Sequence, residues 1–263
     1  MYLIGERING MFEDIKKAVQ EKDEAIIKEW VFKQIKAGAD ALDVNAGPSS
    51  DKPMEAMEWL VTTVRKHTDI TLAIDTTKPD VMERGLELAG AGKGIINSAN
   101  GSAEKLARLL PLAKKYQSKV IGLTMNEKGI PVNASQRVEI AAQIIMSAAE
   151  AGIPSDDIFI DAVILPANVA QEHAREVLET ISQVKMLCDP PARAVLGLSN
   201  VSQKCGNRPL LNKVYFVMAI SRGLDAAIID VCDRDLVDSA ITAELLLGKQ
   251  IYCDNYCEAY RKR

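Results

Sequence analysis

Ala194-Val195-Leu196-Gly197-Leu198-Ser199-Asn200-Val201-Ser202-Gln203 runs from an apolar segment into small and amide residues, and a helical pattern opens near Leu210. Its first residues read as a short strand buried on both faces, as in a parallel sheet covered by helices. The polar residues fall at the carboxyl end, where they do little for packing. An amide placed there can donate and accept in one plane, which suits a flat polar heterocycle. Ser–Asn clusters after strands also make ordinary turns, so the unit acquires meaning only if it recurs.

It recurs along the whole chain. Tyr2-Leu3-Ile4-Gly5 ends at Glu6, Ala41-Leu42 leads into Asp43-Val44-Asn45, and Thr71-Leu72-Ala73-Ile74 closes on Asp75. Gly94-Ile95-Ile96 ends at Asn97, and Val120-Ile121-Gly122-Leu123 is followed by Thr124-Met125-Asn126. Ile158-Phe159-Ile160 stops at Asp161, and Ala226-Ala227-Ile228-Ile229 stops at Asp230. Between these runs the pattern predicts helices over 23–37, 53–65, 79–88, 102–116, 135–151, a segment reaching about 187, 210–222 and 235–247. An irregular stretch, 162–168, precedes the sixth of them.

About eight strand–helix units is what a (β/α)8 barrel requires, and ~250 residues is its usual length. An open doubly wound sheet would want a glycine-rich first turn, and Glu6-Arg7-Ile8-Asn9-Gly10 is not one. The expectation is a single α/β TIM barrel domain over residues 1–263.

Composition excludes several classes. With 48% hydrophobic and 26% charged residues the chain reads as globular. A net charge of −4 leaves no basic footprint for nucleic acid. No apolar run approaches the ~20 residues of a membrane span, and the amino terminus lacks a signal-peptide pattern. Cysteines 188, 205, 232, 253 and 257 are odd in number and scattered, which points to a reducing cytoplasm and away from a disulfide framework. Cys253 and Cys257 could share a helix face, but the only histidines are His67 and His173, so no metal site is expected. The basic end, Tyr260-Arg261-Lys262-Arg263, reads as a solvated tail. Met125 and Met186 read as core fillers, Lys185 as a solvated or salt-bridged side chain, and Cys205 as a small buried thiol with reactivity as the alternative.

In such a barrel the residues just past each strand face one mouth, where active sites lie. That ring would hold Glu6, Asn9, Asp43, Asn45, Asp75, Asn97, Asn126, Asp161, Asn200 and Gln203. No lysine ends a strand, which argues against Schiff-base chemistry. No glycine-rich turn follows the last two strands, where barrels often hold phosphate. What remains is recognition of a neutral ring rich in N–H groups, a pterin or a purine-like heterocycle: carboxylates accept from its N–H edges and amides match its mixed edges.

Leu198-Ser199-Asn200-Val201-Ser202 with Asn207-Arg208 resembles the folate-binding domain of cobalamin-dependent methyltransferases. Ile4-Gly5-Glu6-Arg7-Ile8-Asn9-Gly10, Leu42-Asp43-Val44-Asn45, Asp75-Thr76, Ile96-Asn97-Ser98 and Leu165-Pro166-Ala167-Asn168 carry the same likeness over the whole length. A chain of this size resembles the methyltetrahydrofolate:corrinoid/iron–sulfur protein methyltransferases of the reductive acetyl-CoA pathway. The resemblance implies a homodimer that moves the N5 methyl group of 5-methyltetrahydrofolate to Co(I) of a corrinoid. A separate corrinoid/iron–sulfur protein would carry that cobalamin, since the Asp-x-His-x-x-Gly signature for binding it is missing here.

The resemblance also implies roles. Asp75, Asn97 and Asp161 would hydrogen-bond the pterin. Asn200 would reach N5 and, with Asp161, form the catalytic pair. Gln203 and Arg208 would lie beside the ring, Gly197 and Ser199 would join the substrate-binding set, and Glu6, Asn9 and Asp43 would support the pocket. The leaving N5 must gain a proton, which Asn200 would stabilise through its amide oxygen and a network including Asp161 would deliver. Two alternatives remain: a non-catalytic methylfolate-binding module, and a relative of dihydropteroate synthase. The synthases typically carry Ser-Arg-Lys where this chain has Ser199-Asn200-Val201.

Overall fold

The computed structural model describes residues 1–249. Cys253, Cys257 and the basic end at 260–263 lie outside the described residues. The chain alternates strand and helix, beginning with β1 (Tyr2–Asn9), two helices α1 (Glu13–Glu21) and α2 (Glu24–Lys36), and β2 (Ala41–Asn45). It continues through α3 (Pro53–Arg65), β3 (Thr71–Asp75), α4 (Pro79–Ala89), β4 (Gly94–Asn100), α5 (Ala103–Tyr116) and β5 (Lys119–Leu123). The last elements are α6 (Ala134–Glu150), β6 (Ile158–Asp161), α7 (Gln171–Val184), β7 (Arg193–Gly197), α8 (Arg208–Ser221), β8 (Ala226–Ile229) and α9 (Arg234–Leu246).

The strands pair in chain order and close, β8 against β1, into the expected parallel barrel. Both faces of each strand are therefore buried. Outward residues such as Leu42, Leu72, Ile74, Ile96 and Val120 pack under the helices. Inward residues Ile4, Ala41, Ala73, Ile95, Ile121, Phe159, Val195 and Ala226 form a separate plug inside the barrel. A parallel sheet covered in this way needs apolar side chains at nearly every strand position.

Three elements differ from the sequence expectation. A helix, α1, precedes the one expected over 23–37; only Ile15, Ala18 and Val19 are buried along it and no side chain caps its start. β1 runs on to Asn9 through a register shift between Gly5 and Ile8. Gln34 of α2, itself fully buried, fills that shift and accepts from the Arg7 amide at 3.0 Å. β4 likewise passes Asn97 with a shift before Ala99. Such bulges bend a strand and re-aim its side chains at a barrel rim. No helix among the described residues is long and apolar enough to cross a membrane.

Candidate active site

Successive side chains of a strand point to opposite faces, so the apolar plug fixes what points into the mouth. Two residues beyond Ile4, Ala41, Ala73, Ile95, Phe159 and Val195 come Glu6, Asp43, Asp75, Asn97, Asp161 and Gly197. Each stands at or near the carboxyl end of its strand. The mouth is thus a layer of carboxylates and amides seated on hydrocarbon. Three strands break the pattern: β7 with Gly197, and β5 and β8 with Leu123 and Ile228 in the corresponding places.

The layer is cross-linked by neutral groups. Asn97 Nδ2 donates to Asp43 Oδ1 at 2.9 Å, reaching across β3. Asn45 Nδ2 donates to Asp75 Oδ2 at 2.5 Å and accepts from the Gly47 amide. Ser199 donates to Glu6 Oε1 at 2.8 Å. Asp161 accepts from the amides of Val163, at 2.7 Å, and Gly197, at 3.4 Å.

Burial without a contacting cation raises the proton affinity of the carboxylates. Glu6 is pushed up to about 7 by burial, with Asp230 adding to the shift and the Ser199 hydroxyl opposing it. Asp161 is pushed up to about 6 by burial, against its two amide bonds and a nearby arginine, Arg137. Asp43 is raised by burial and by the charges of Asp75 and Glu6, and Asp75 is raised by burial. Buried acceptors of this kind are stabilised by any ligand that brings N–H donors. Perturbed carboxylates gathered in a cleft make it a candidate functional site.

Two cavities open from this layer. One, of about 700 Å³, is lined by Glu6, Asn9, Ser199, Asn200, Gln203 and Arg208, with Phe12 and Trp30 on its wall. The other, of about 510 Å³, lies over Asn45 and Asp75 between the loops after β2 and β3. Arg7 also lines the larger cavity. Its guanidinium is held between the rings of Phe12 and Trp30, 3.7 and 4.1 Å away, and bonds Asp14.

After β7 the chain makes a 3-10 turn, Leu198–Ser202, which swings Asn200 back over the strand end. A Cβ at Gly197 would sit 3.1 Å from Asn200 Nδ2 and 4.0 Å from Asp161 Oδ2. The bare glycine therefore lets the amide and the carboxylate share one corner of the mouth. Arg208, at the start of α8, donates to the Ser202 hydroxyl and the Ser199 carbonyl at 3.1 and 3.3 Å, fixing the turn.

Of the expected ring, Asn126 does not join: it turns back on Gly129 and lines a separate cleft with Lys128 and Glu139. Asn9 lines the larger cavity, with its own Oδ1 accepting from the Met11 amide. Two expectations outside the mouth also resolve. Met186 is 76% exposed, a correction to its reading as core, because α7 ends before it. Lys185 is salt-bridged, to Asp225 at 2.8 Å.

Sequence reasoning missed Arg137, which is fully buried on α6 behind Asp161. A signal existed: Arg137 falls on the same helical stripe as Ile140, Ala141 and Ile144, where a charged residue is out of place.

Comparison with known proteins bears on the family and the fold. Methylcorrinoid:tetrahydrofolate methyltransferase of Eubacterium limosum is 28% identical over 264 residues, covering 100% of this chain and 97% of that protein. Methionine synthase of Mycobacterium tuberculosis is 28% identical over 239 residues, covering 86% of this chain and 20% of that much longer protein. Among solved structures, dihydropteroate synthase from Coxiella burnetii in complex with pteroic acid superposes with a TM-score of 0.68 at 18% identity, over 93% of each chain. The synthase from Xanthomonas albilineans in complex with 7,8-dihydropteroate gives 0.67 at 18%, over 94% of each. These two establish the barrel and no more. The family model described as pterin binding enzyme matches residues 9–230, and the chain belongs to that family.

Proposed function

We propose that this protein is a methyltransferase that moves a methyl group between N5 of a tetrahydrofolate and the cobalt of a corrinoid carried by a separate protein. The observation that carries the reading is the layer of carboxylates, Asp43 and Asp161 buried and Glu6 and Asp75 half-buried, whose hydrogen-bond partners are all neutral. A pterin edge supplies the N–H donors that this layer lacks. The full-length similarity to the Eubacterium limosum enzyme supports the same chemistry. That enzyme's name writes the transfer from a methylcorrinoid to tetrahydrofolate, the reverse of the direction taken here as forward, from methyltetrahydrofolate to Co(I). One site serves both directions, because the proton given to N5 in one is taken from it in the other.

In the forward direction the N5–methyl bond breaks and its electron pair stays on nitrogen. Cobalt(I) supplies the pair for the new bond. Asp75, Asn97 and Asp161 hold the ring edge, with Glu6, Asn9 and Asp43 supporting them. Asn200 faces N5, and its amide oxygen accepts from N5–H, stabilising the protonated form. An amide is too weak an acid to supply that proton. Asp161, titrating at about 6, is an acid and base of suitable strength close to Asn200. Gly197, Ser199, Gln203 and Arg208 hold that corner in shape.

The partner is a corrinoid/iron–sulfur protein or one of similar chemistry, and the setting is the one-carbon metabolism of a reducing cytoplasm. Dimerisation is supported by an exposed apolar ridge along α8: Leu210, Val214, Val217 and Met218.

The test is anaerobic mixing of the protein with methyltetrahydrofolate and cob(I)alamin, and separately with tetrahydrofolate and methylcobalamin, following the cobalamin absorbance. Catalysed interconversion in both directions is expected. Tight folate binding with no transfer, even with a corrinoid protein added, would leave a binding module. The absence of folate binding would end the pterin reading.

A further inference from the structure

The barrel wall behind Asp161 holds a fully buried guanidinium, and its donors are spent on three backbone carbonyls and one imidazole. Arg137 Nε donates to the Pro131 carbonyl at 2.9 Å. Its Nη1 donates to the carbonyls of Ala162 and, at 2.9 Å, of Val163. Nη2 donates to His173 Nδ1 at 2.5 Å. An arginine has no acceptor, so Nδ1 carries no proton and the imidazole is neutral. Burial and the arginine's charge both hold the histidine in that form.

A buried guanidinium is costly to desolvate and is kept only where a full set of acceptors holds it. What Arg137 grips shows what its position decides. Val163 lies at φ 58°, in the left-handed region. For a β-branched residue this is a strained conformation, maintained only where its surroundings dictate it. The Val163 amide is the donor that fixes Asp161 Oδ1 at 2.7 Å. The carbonyls on either side of that amide are the two that Arg137 holds.

We infer that Arg137 is a positioning residue for Asp161: it locks the Ala162–Val163 turn in its left-handed form, and the turn in turn aims the Asp161 carboxylate at the mouth. His173 completes the device by accepting the remaining donor. Groups from each neighbouring helix face this assembly: Arg137 on α6, Glu172, His173 and Glu176 on α7, and Tyr215 on α8. Glu176 is engaged by the Ala134 amide at 2.8 Å and Tyr215 donates to the Ala174 carbonyl at 2.7 Å. Arg137 is therefore the cation of the set that acts on Asp161, by charge and through the turn. This role rests on the proposed use of Asp161 towards a pterin, but the orientation of the carboxylate can be tested without any folate.

The experiment uses the whole chain labelled with ¹³C at aspartate carboxyl carbons, the Asp161 signal being assigned from Asp161→Asn. Wild type should titrate near 6. In Arg137→Met the lost charge and the relaxed turn both favour the protonated acid, so the midpoint should rise by about one unit or more. Methyltetrahydrofolate affinity should fall about as far as in Asp161→Asn, and the double variant should lose little more. A folded Arg137→Met with an unchanged midpoint and wild-type affinity would overturn the inference. Should that variant not fold, Arg137→Lys keeps a charge but cannot hold both carbonyls and the imidazole. It should show the same shifts, reduced, and wild-type values would again be decisive against the role. If wild type binds no folate, the functional reading falls while the midpoint still decides the role of Arg137.

Discussion

The two ends of the barrel treat the same residue types in opposite ways. At the amino-terminal floor the carboxylates are matched with cations: Asp69 with Lys93 at 2.6 Å, Asp157 with Lys119 at 2.9 Å, and Asp225 with Lys185 at 2.8 Å. Asp225 also accepts from the Ala194 amide, and Asp40 accepts from that of Leu3, tying loops to neighbouring strands. Arg65 bonds the carbonyls of Ala89, Ile70 and Lys93 from below. At the mouth, Glu6, Asp43 and Asp75 sit on the apolar plug and meet only a hydroxyl and two amides. The floor closes its polar groups within the fold, and the mouth leaves its acceptors for something else to satisfy. In TIM barrels the floor is where stability resides and the mouth is where chemistry does.

That contrast can be broken most sharply at Asn200. Asn200→Ala should lower methyl transfer by about 10²-fold or more, since it removes a group aimed at charge developing on N5. Melting temperature should stay within a few degrees, because the side chain is exposed. Equal rates in both proteins would remove Asn200 from the mechanism.

Glu6 offers a stability test with a definite sign. Its folded midpoint, about 7, lies above the ordinary 4.5. The native state therefore holds the extra proton between those values, and its contribution is present below pH 4.5 and lost as pH rises through 7. Glu6→Gln should stabilise the protein by about 1–3 kcal/mol at pH 8 and by little at pH 5. Urea unfolding at the two pH values measures this, and a variant less stable at pH 8 would show Glu6 to be better paired than it is here.

A smaller effect is expected at Gly197. With φ at −76°, an alanine there is unstrained, and its methyl meets Asn200 Nδ2 instead. Gly197→Ala should reduce transfer by about tenfold, through a misplaced amide, with melting almost unchanged. At the floor, Lys185→Met should cost roughly 0.5–1 kcal/mol of stability, the scale of a partly exposed ion pair, and leave folate affinity as it was. A loss of affinity there would mean that the two ends are not independent.

Much of this was legible in the sequence because a barrel strand couples its ends to its middle. An apolar run that stops at Asp75 or Asp161 declares both a buried strand and a polar mouth residue. The extra helix α1 was missed although Ile15, Ala18 and Val19 stand at helical spacing, because only nine residues carry the pattern and no side chain caps their start. The bulges in β1 and β4 were not legible, because they appear only when registers on both sides are known. Pairings such as Asn97 with Asp43 join β4 to β2 across a strand, so they depend on barrel curvature rather than on spacing in the chain. Asn126 misled because it follows β5 as Asn97 ends its apolar run, yet the chain turns back at Gly129. Arg137 was written on an apolar stripe, and a rule that treats charge as surface hides it.

The division between mouth and floor is tested most directly by titrating methyltetrahydrofolate calorimetrically into wild type, Asp161→Asn and Asp225→Asn. Asp161→Asn should bind about 10- to 100-fold more weakly than wild type, the scale of one hydrogen bond to a charged acceptor. Asp225→Asn should bind as wild type does while melting at a lower temperature. Equal affinity in all three proteins, or no binding by wild type, would contradict the assignment of the mouth as a pterin site.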